Sequence, residues 1–147
     1  MRDTDYLNVA IKEARFALDT EDVPVGAIIV KDGEVIATAC NEKEKTGDLT
    51  AHAEVLAIRR AAAALGDWRL NDCTLYCTLE PCAMCAGTIV QARIPRIVYA
   101  AKDIKTGACG SFLSVLNAEV LEKRVELSYI PMDESVRLLQ DFFKARR

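Results

Sequence analysis

The sequence predicts an α/β protein: a three-layer α/β/α sandwich on a mixed five-stranded sheet with helices on both faces. Three observations lead there. Helical and strand-like stretches follow one another in the order α-β-β-α-β-α-β-β-α. Asp32-Gly33 sits between two apolar, β-branched runs, which is a strong hairpin signal. The chain of 147 residues is 51% hydrophobic and shows no repeat, low-complexity tract or linker, so it reads as one domain spanning residues 1–147.

The elements follow from the local pattern. Leu7, Ile11, Ala14 and Leu18 recur at helical spacing, with Thr4 placed to cap the helix that carries them. Val25–Val30 and Val35–Cys40 are the two arms of the hairpin around Lys31-Asp32-Gly33-Glu34. Asn41–Thr50 is polar and reads as a loop, after which Thr50 is placed to cap a helix through about Leu65, ended by Gly66. Cys73–Leu79 is strand-like, and Pro81 suits the opening of a helix through about Ala92. Ile94–Ala101 is the next strand, with Pro95 expected before its paired part. Lys102–Ser111 is a loop with two glycines, and Ser114–Val120 fits neither period. Arg124–Ile130 alternates as a strand. Asp133 is placed to cap a last helix with Val136, Leu138, Leu139, Phe142 and Phe143.

Composition narrows the function. No apolar run approaches the roughly 20 residues of a membrane helix, and Met1–Thr20 lacks the apolar stretch of a signal peptide, so a soluble cytoplasmic protein is expected. The six cysteines, Cys40, Cys73, Cys77, Cys82, Cys85 and Cys109, then suit metal binding or burial better than a disulfide framework. The formal net charge of −3 is not the basic footprint of a typical nucleic-acid binder. Its distribution is uneven, however. Residues 1–50 hold 11 acidic and 6 basic side chains, while Arg137, Lys144, Arg146 and Arg147 face only Asp141 at the chain's end.

His52 is the single histidine, so any imidazole chemistry falls to it. It lies in His52-Ala53-Glu54, and Pro81-Cys82-Ala83-Met84-Cys85 follows after 26 intervening residues. Three residues apart in a first helical turn, Cys82 and Cys85 put their sulfurs on one face, where the positive helix end favours thiolate. With His52 they make three metal ligands, and a tetrahedral zinc keeps its fourth position for water, as in a catalytic site. Glu54 is about 200° around the helix from His52, so the two flank a common group only if it sits above the helix end. There Glu54 is placed to move protons without touching the metal. A four-cysteine site that adds Cys73 and Cys77 fits poorly. In a strand they lie roughly 13 Å apart, whereas two sulfurs on one zinc lie within about 4.6 Å. Core packing suits them better. A thioredoxin-like pair would leave His52 and Glu54 unexplained.

H-x-E followed by P-C-x-x-C is the signature of zinc nucleobase deaminases. The wider chain resembles the bacterial tRNA-specific adenosine deaminases, within the cytidine deaminase-like superfamily. The resemblance is carried by Val23-Pro24-Val25-Gly26-Ala27, Asn41, Thr50–Glu54, Thr78 through Gly87, Lys105-Thr106-Gly107 and Leu138–Phe143. It implies the cytidine deaminase-like fold, one zinc ion on His52, Cys82 and Cys85, Glu54 as proton shuttle, and hydrolysis of adenosine to inosine at the wobble position of a tRNA anticodon. It also implies that Asn41 hydrogen-bonds the base, that Pro24, Val25 and Gly26 form the pocket wall, and that Asp103 and Lys105 touch the anticodon backbone. A homodimer is implied as well. The residues alone leave plainer roles open. Asn41 suits a loop cap, Val25 the sheet core, and Asp103 and Lys105 a solvated loop. Phe142 and Phe143, about 100° apart on a helix, suit core packing or base stacking. Lys144, Arg146 and Arg147 suit phosphates or the helix dipole. The rival functions are a zinc deaminase of a free nucleobase or nucleoside (guanine, cytosine or cytidine) and a non-catalytic zinc-stabilised RNA-binding module.

Overall fold

A computed structural model describes residues 1–118 and 124–146. The strands are β1 (Gly26–Lys31), β2 (Glu34–Cys40), β3 (Cys73–Cys77), β4 (Arg96–Tyr99) and β5 (Glu126–Tyr129). They form one sheet in the order β2-β1-β3-β4-β5, with β1 antiparallel to both neighbours and β3, β4 and β5 parallel. The β1–β2 hairpin closes through Asp32 and Gly33, both at positive φ (52° and 76°), as the two central positions of a tight hairpin turn require.

The period of two along each strand divides the core between two faces. Ala27, Ile29, Leu75, Cys77, Ile97 and Tyr99 belong to one buried cluster, completed by Ala57, Ile58 and Ala61 of α3 (Ala53–Leu65) and Ala86 and Ile89 of α4 (Ala83–Ala92). Ile28, Val30, Tyr76 and Val98 point the other way, against Tyr6, Leu7 and Ala10 of α1 (Asp3–Phe16). A one-turn helix, α2 (Lys43–Thr46), follows β2, and α5 (Asp133–Lys144) closes the chain. The α5 helix lies beside α1, where Arg15 pairs with Glu134, and Ser135 Oγ donates to the Thr78 carbonyl. The predicted mixed five-stranded sheet with helices is thus observed.

Several local expectations are corrected. Thr4 does not cap α1, because the helix begins at Asp3 and the Asp5 carboxylate accepts the Arg2 N–H at 2.9 Å. Leu18 is 41% exposed, because the chain tightens into a 3-10 turn at Ala17–Thr20 and rotates that position off the apolar stripe. Thr50 stands two residues before the cap of α3, which is His52, and Asp133 is the first residue of α5 rather than its cap. Helix α4 likewise starts after Cys82, not at Pro81. Lys43–Thr46, expected as loop, is one helical turn because the Asp22 carboxylate accepts the N–H groups of Glu44 and Lys45. β3, β4 and β5 are shorter than the runs that predict them, whereas β1 and β2 match theirs to within one residue at each end. The β3–β4 ladder ends at Cys77 and Tyr99, and backbone hydrogen bonds from Ala100 to Cys77 and from Glu80 to Ala101 continue the contact. Of the ambiguous stretch, Ser114 forms a bridge with Cys109, while Val120 lies outside the described residues.

Candidate active site

The N-termini of α3 and α4 converge beside the ends of β3 and β4, where open α/β sheets bind ligands. His52 and Cys82 are the N-cap residues of the two helices, both in extended conformation, and Cys85 lies three residues into the α4 turn. His52 Nδ1 lies 3.6 Å from Cys82 Sγ and 3.5 Å from Cys85 Sγ, and the two sulfurs are 3.6 Å apart. These three side chains could hold a metal ion. Their protons already respond to one another. The hydrogen bond between the two sulfurs, with help from His52, holds the Cys82 thiol down at about 4. The same bond and burial raise Cys85, and the Cys82 sulfur raises His52. One thiolate beside a thiol and an imidazole is a donor set that a divalent cation completes by displacing the remaining protons.

Glu54 occupies the second position of α3 and is 4% exposed. Its Oε1 finds no hydrogen-bond partner among the described residues, and burial pushes its carboxyl up to about 6. It shares with His52 and Cys82 a cleft of about 810 Å³. A buried carboxylate with a free oxygen, beside three side chains that could hold a metal, is equipped to take and return a proton near neutral pH.

The expected substrate residues divide. Val25, Asn41, Asp103, Lys105, Phe142 and Phe143 all line the cleft. Pro24 and Gly26 do not. A Cβ on Gly26 would lie 2.0 Å from the Ala10 carbonyl oxygen, so this glycine allows α1 to pack on β1, and its N–H donates to Thr78 Oγ1. Asn41 takes the capping role and keeps a second one available. Its Oδ1 accepts the Ala53 N–H at 2.8 Å, which leaves the Nδ2 group as a donor. Asp103 accepts the N–H groups of Lys105 and Thr106 and the Thr106 hydroxyl, so its carboxylate shapes the turn that presents Lys105. The adjacent phenylalanines are distinguished by the rotation of α5. Phe142 is 7% exposed under the Arg146 guanidinium, whereas Phe143 is 50% exposed. Lys43, Lys102, Lys105 and Arg146 all line the cleft, interspersed with the acidic Glu21, Asp22, Glu44, Glu54, Glu80 and Asp103. Arg147 lies outside the described residues. Cys73 and Cys77 are buried in the core, as expected.

Two further residues escape sequence reasoning. Asp22 and Glu80 are both buried and both line the cleft. Asp22 holds α2, and Glu80 holds the loop after β4 through Asp103, Cys109 and Ser111. The available signal for Glu80 is its position between Leu79 and Pro81, two residues before Cys82.

Known proteins share this architecture. A model of the MafB19-like deaminase family matches residues 1–147. The chain is 45% identical to the tRNA-specific adenosine deaminase of Aquifex aeolicus (strain VF5), over 97% of this chain and 94% of that protein. A solved structure from work on A-to-I editing by tRNA:A34 deaminases at the wobble position of transfer RNA is similar, with a TM-score of 0.88 and 41% identity. The match covers 92% of this chain and 99% of that one. The guanine deaminase of Bacillus subtilis is also similar, with a TM-score of 0.68 and 32% identity over 98% of this chain and 95% of that one.

Proposed function

The chain belongs to the MafB19-like deaminase family, and on that premise we propose that it hydrolyses adenosine to inosine at the wobble position of a tRNA anticodon. The observation that carries the chemistry is the three-donor group with edges of 3.5–3.6 Å sharing a cleft with the buried Glu54. A tetrahedral zinc with two sulfur ligands and one nitrogen ligand needs edges of roughly 3.5–3.8 Å. His52, Cys82 and Cys85 therefore fit one zinc ion per chain, with the open fourth position of a catalytic site. Bound there, zinc would supply a nucleophile at neutral pH by lowering the pKa of water to about 7. Glu54 makes two transfers. It takes the proton of the attacking water to N1 of adenine as oxygen adds to C6. It then moves the new hydroxyl proton to the amino nitrogen, which leaves as ammonia.

The rest of the cleft binds and orients. Asn41 Nδ2 donates to the base and Val25 forms the wall, with Pro24 and Gly26 fixing the strand behind it. Phe143 offers an exposed ring to a splayed base. Lys43, Lys102, Lys105 and Arg146 offer charge to the phosphates, with Asp103 setting the Lys105 turn. The tRNA assignment draws on the relatives named for action on tRNA, on these four cations and on the exposed Phe143 ring. We read residues 1–147 as one deaminase domain working in the cytoplasm as a homodimer. Exposed Phe112 and Leu113 supply apolar surface for a second copy, and among the described residues no helix is long and apolar enough to cross a membrane.

The test is inosine formation by zinc-loaded protein on an anticodon stem-loop with adenosine at the wobble position, beside free nucleosides and guanine. Inosine at that position alone is the expected result. Ammonia released only from a free base or nucleoside would replace the tRNA reading with the free-base one. No reaction with zinc bound would favour the non-catalytic module.

A further inference from the structure

Glu80 is a buried carboxylate satisfied by neutral donors. Its Oε1 accepts from Asp103 N at 3.1 Å and from Ser111 Oγ, and its Oε2 accepts from Cys109 N at 2.9 Å and Ser111 N at 3.3 Å. No ion pair to Glu80 occurs among the described residues. The loop folds around it closely enough that a Cβ on Gly107 would lie 2.4 Å from the Glu80 side chain. The same residue is fixed through its backbone, because Glu80 N donates to Ala101 O and the next carbonyl, of Pro81, accepts Ala108 N. Cys82 then bridges to Gly107. One side chain thus joins the turn that carries a metal ligand to the loop whose residues Asp103–Thr106 line the cleft.

We propose that Glu80 is a positioning residue for the reaction: it locks the 103–111 loop to the metal-ligand turn and so holds the Asp103–Thr106 rim where RNA meets the cleft. The chemistry requires a carboxylate. Four donors converge on two oxygens, and three of them are backbone N–H groups that cannot reverse. A glutamine there would turn its own N–H₂ toward at least one of them. Hydrogen bonds to a charged acceptor are among the stronger ones, so their loss reaches the loop even when the metal turn stays folded.

The role of the rim in RNA binding rests on the function proposed above, so the experiment separates the two. Full-length Glu80→Gln and Ser111→Ala proteins are compared with wild type for bound zinc, for KM and kcat on the anticodon stem-loop, and for amide hydrogen exchange at residues 103, 109 and 111. Both variants are expected to keep stoichiometric zinc. Glu80→Gln is expected to raise KM by roughly tenfold or more, Ser111→Ala severalfold, each with kcat changed less than KM. Exchange at the three amides rises while α3 and β3 stay protected. Unchanged KM in both variants, or a loss confined to kcat, would overturn the proposal. If Glu80→Gln does not fold, Ser111→Ala decides by the same criteria. If wild type leaves the stem-loop unreacted, the tRNA reading fails by itself, and unaltered exchange at 103, 109 and 111 would then sink the loop-locking role.

Discussion

Replacing Glu54 by glutamine should move stability and activity in opposite directions. The Glu54 carboxyl is raised from 4.5 to about 6 by burial, and its Oε1 has no protein partner among the described residues. A shift of about 1.5 units corresponds to about 2 kcal/mol at pH 7, the cost of keeping the charge buried. Because the folded pKa is raised, that cost is fully present above about pH 6 and disappears as pH falls below the unfolded value near 4.5. Glutamine removes the charge but keeps a buried amide with a missing partner, which costs about 1 kcal/mol. The net expectation is a gain of about 1 kcal/mol, or a melting temperature higher by about 2–4 °C. Turnover should fall by about 10²- to 10⁴-fold, the usual range for a lost general acid–base group. Urea denaturation of chelated protein at pH 7 and pH 4.5 measures the first effect. Single-turnover inosine formation with zinc-loaded protein measures the second. A variant that is destabilised at pH 7, or that turns over within tenfold of wild type, would refute the reasoning.

Cys82→Ala removes one of three metal donors, and dialysed protein should lose stoichiometric zinc and all turnover; zinc retained at one per chain would contradict the ligand set. Phe142→Ala empties a buried site and should cost about 3–5 kcal/mol in urea denaturation. Phe143→Ala should leave stability within about 0.5 kcal/mol and weaken stem-loop binding by about 1–3 kcal/mol in a direct titration. Asp3 is held down at about 2, first by its hydrogen bonds from Arg96 and then by Tyr76. That stability is present above the unfolded value near 3.8 and is lost as pH falls toward 2. Allowing for partial exposure, Asp3→Asn should cost about 1–2 kcal/mol at pH 7, and its deficit against wild type should shrink between pH 4 and pH 2.

The parts of the molecule legible in the sequence are those set by short-range periodicity or by a demanding local chemistry. The apolar, β-branched run Val25–Val30 and the Asp32-Gly33 turn specify the hairpin, because both depend on residues within a few positions of one another. The group of side chains that could hold a metal is legible for a similar reason. A C-x-x-C pair at a helix start has few uses, and a chain with one histidine offers one imidazole.

Other features depend on distant neighbours and were decided by tertiary packing. Nothing near Asp22 or Glu80 in the sequence supplies the donors that hold them, so neither role is legible there. Those donors come from Glu44 and Lys45 in one case and from Asp103, Cys109 and Ser111 in the other, across intervals of 22 to 31 residues. The choice between Phe142 and Phe143 needed the rotation of α5, to which Ser135 contributes by bonding the carbonyl of Thr78, 57 residues away. Asn41 needed the position of α3 before its oxygen could be assigned to a cap and its nitrogen left as a donor. A sequence carries its ligands as chemistry, whereas burial is a property of the assembled fold. The carboxylates that shape this cleft therefore became identifiable only with the sheet and its loops in place.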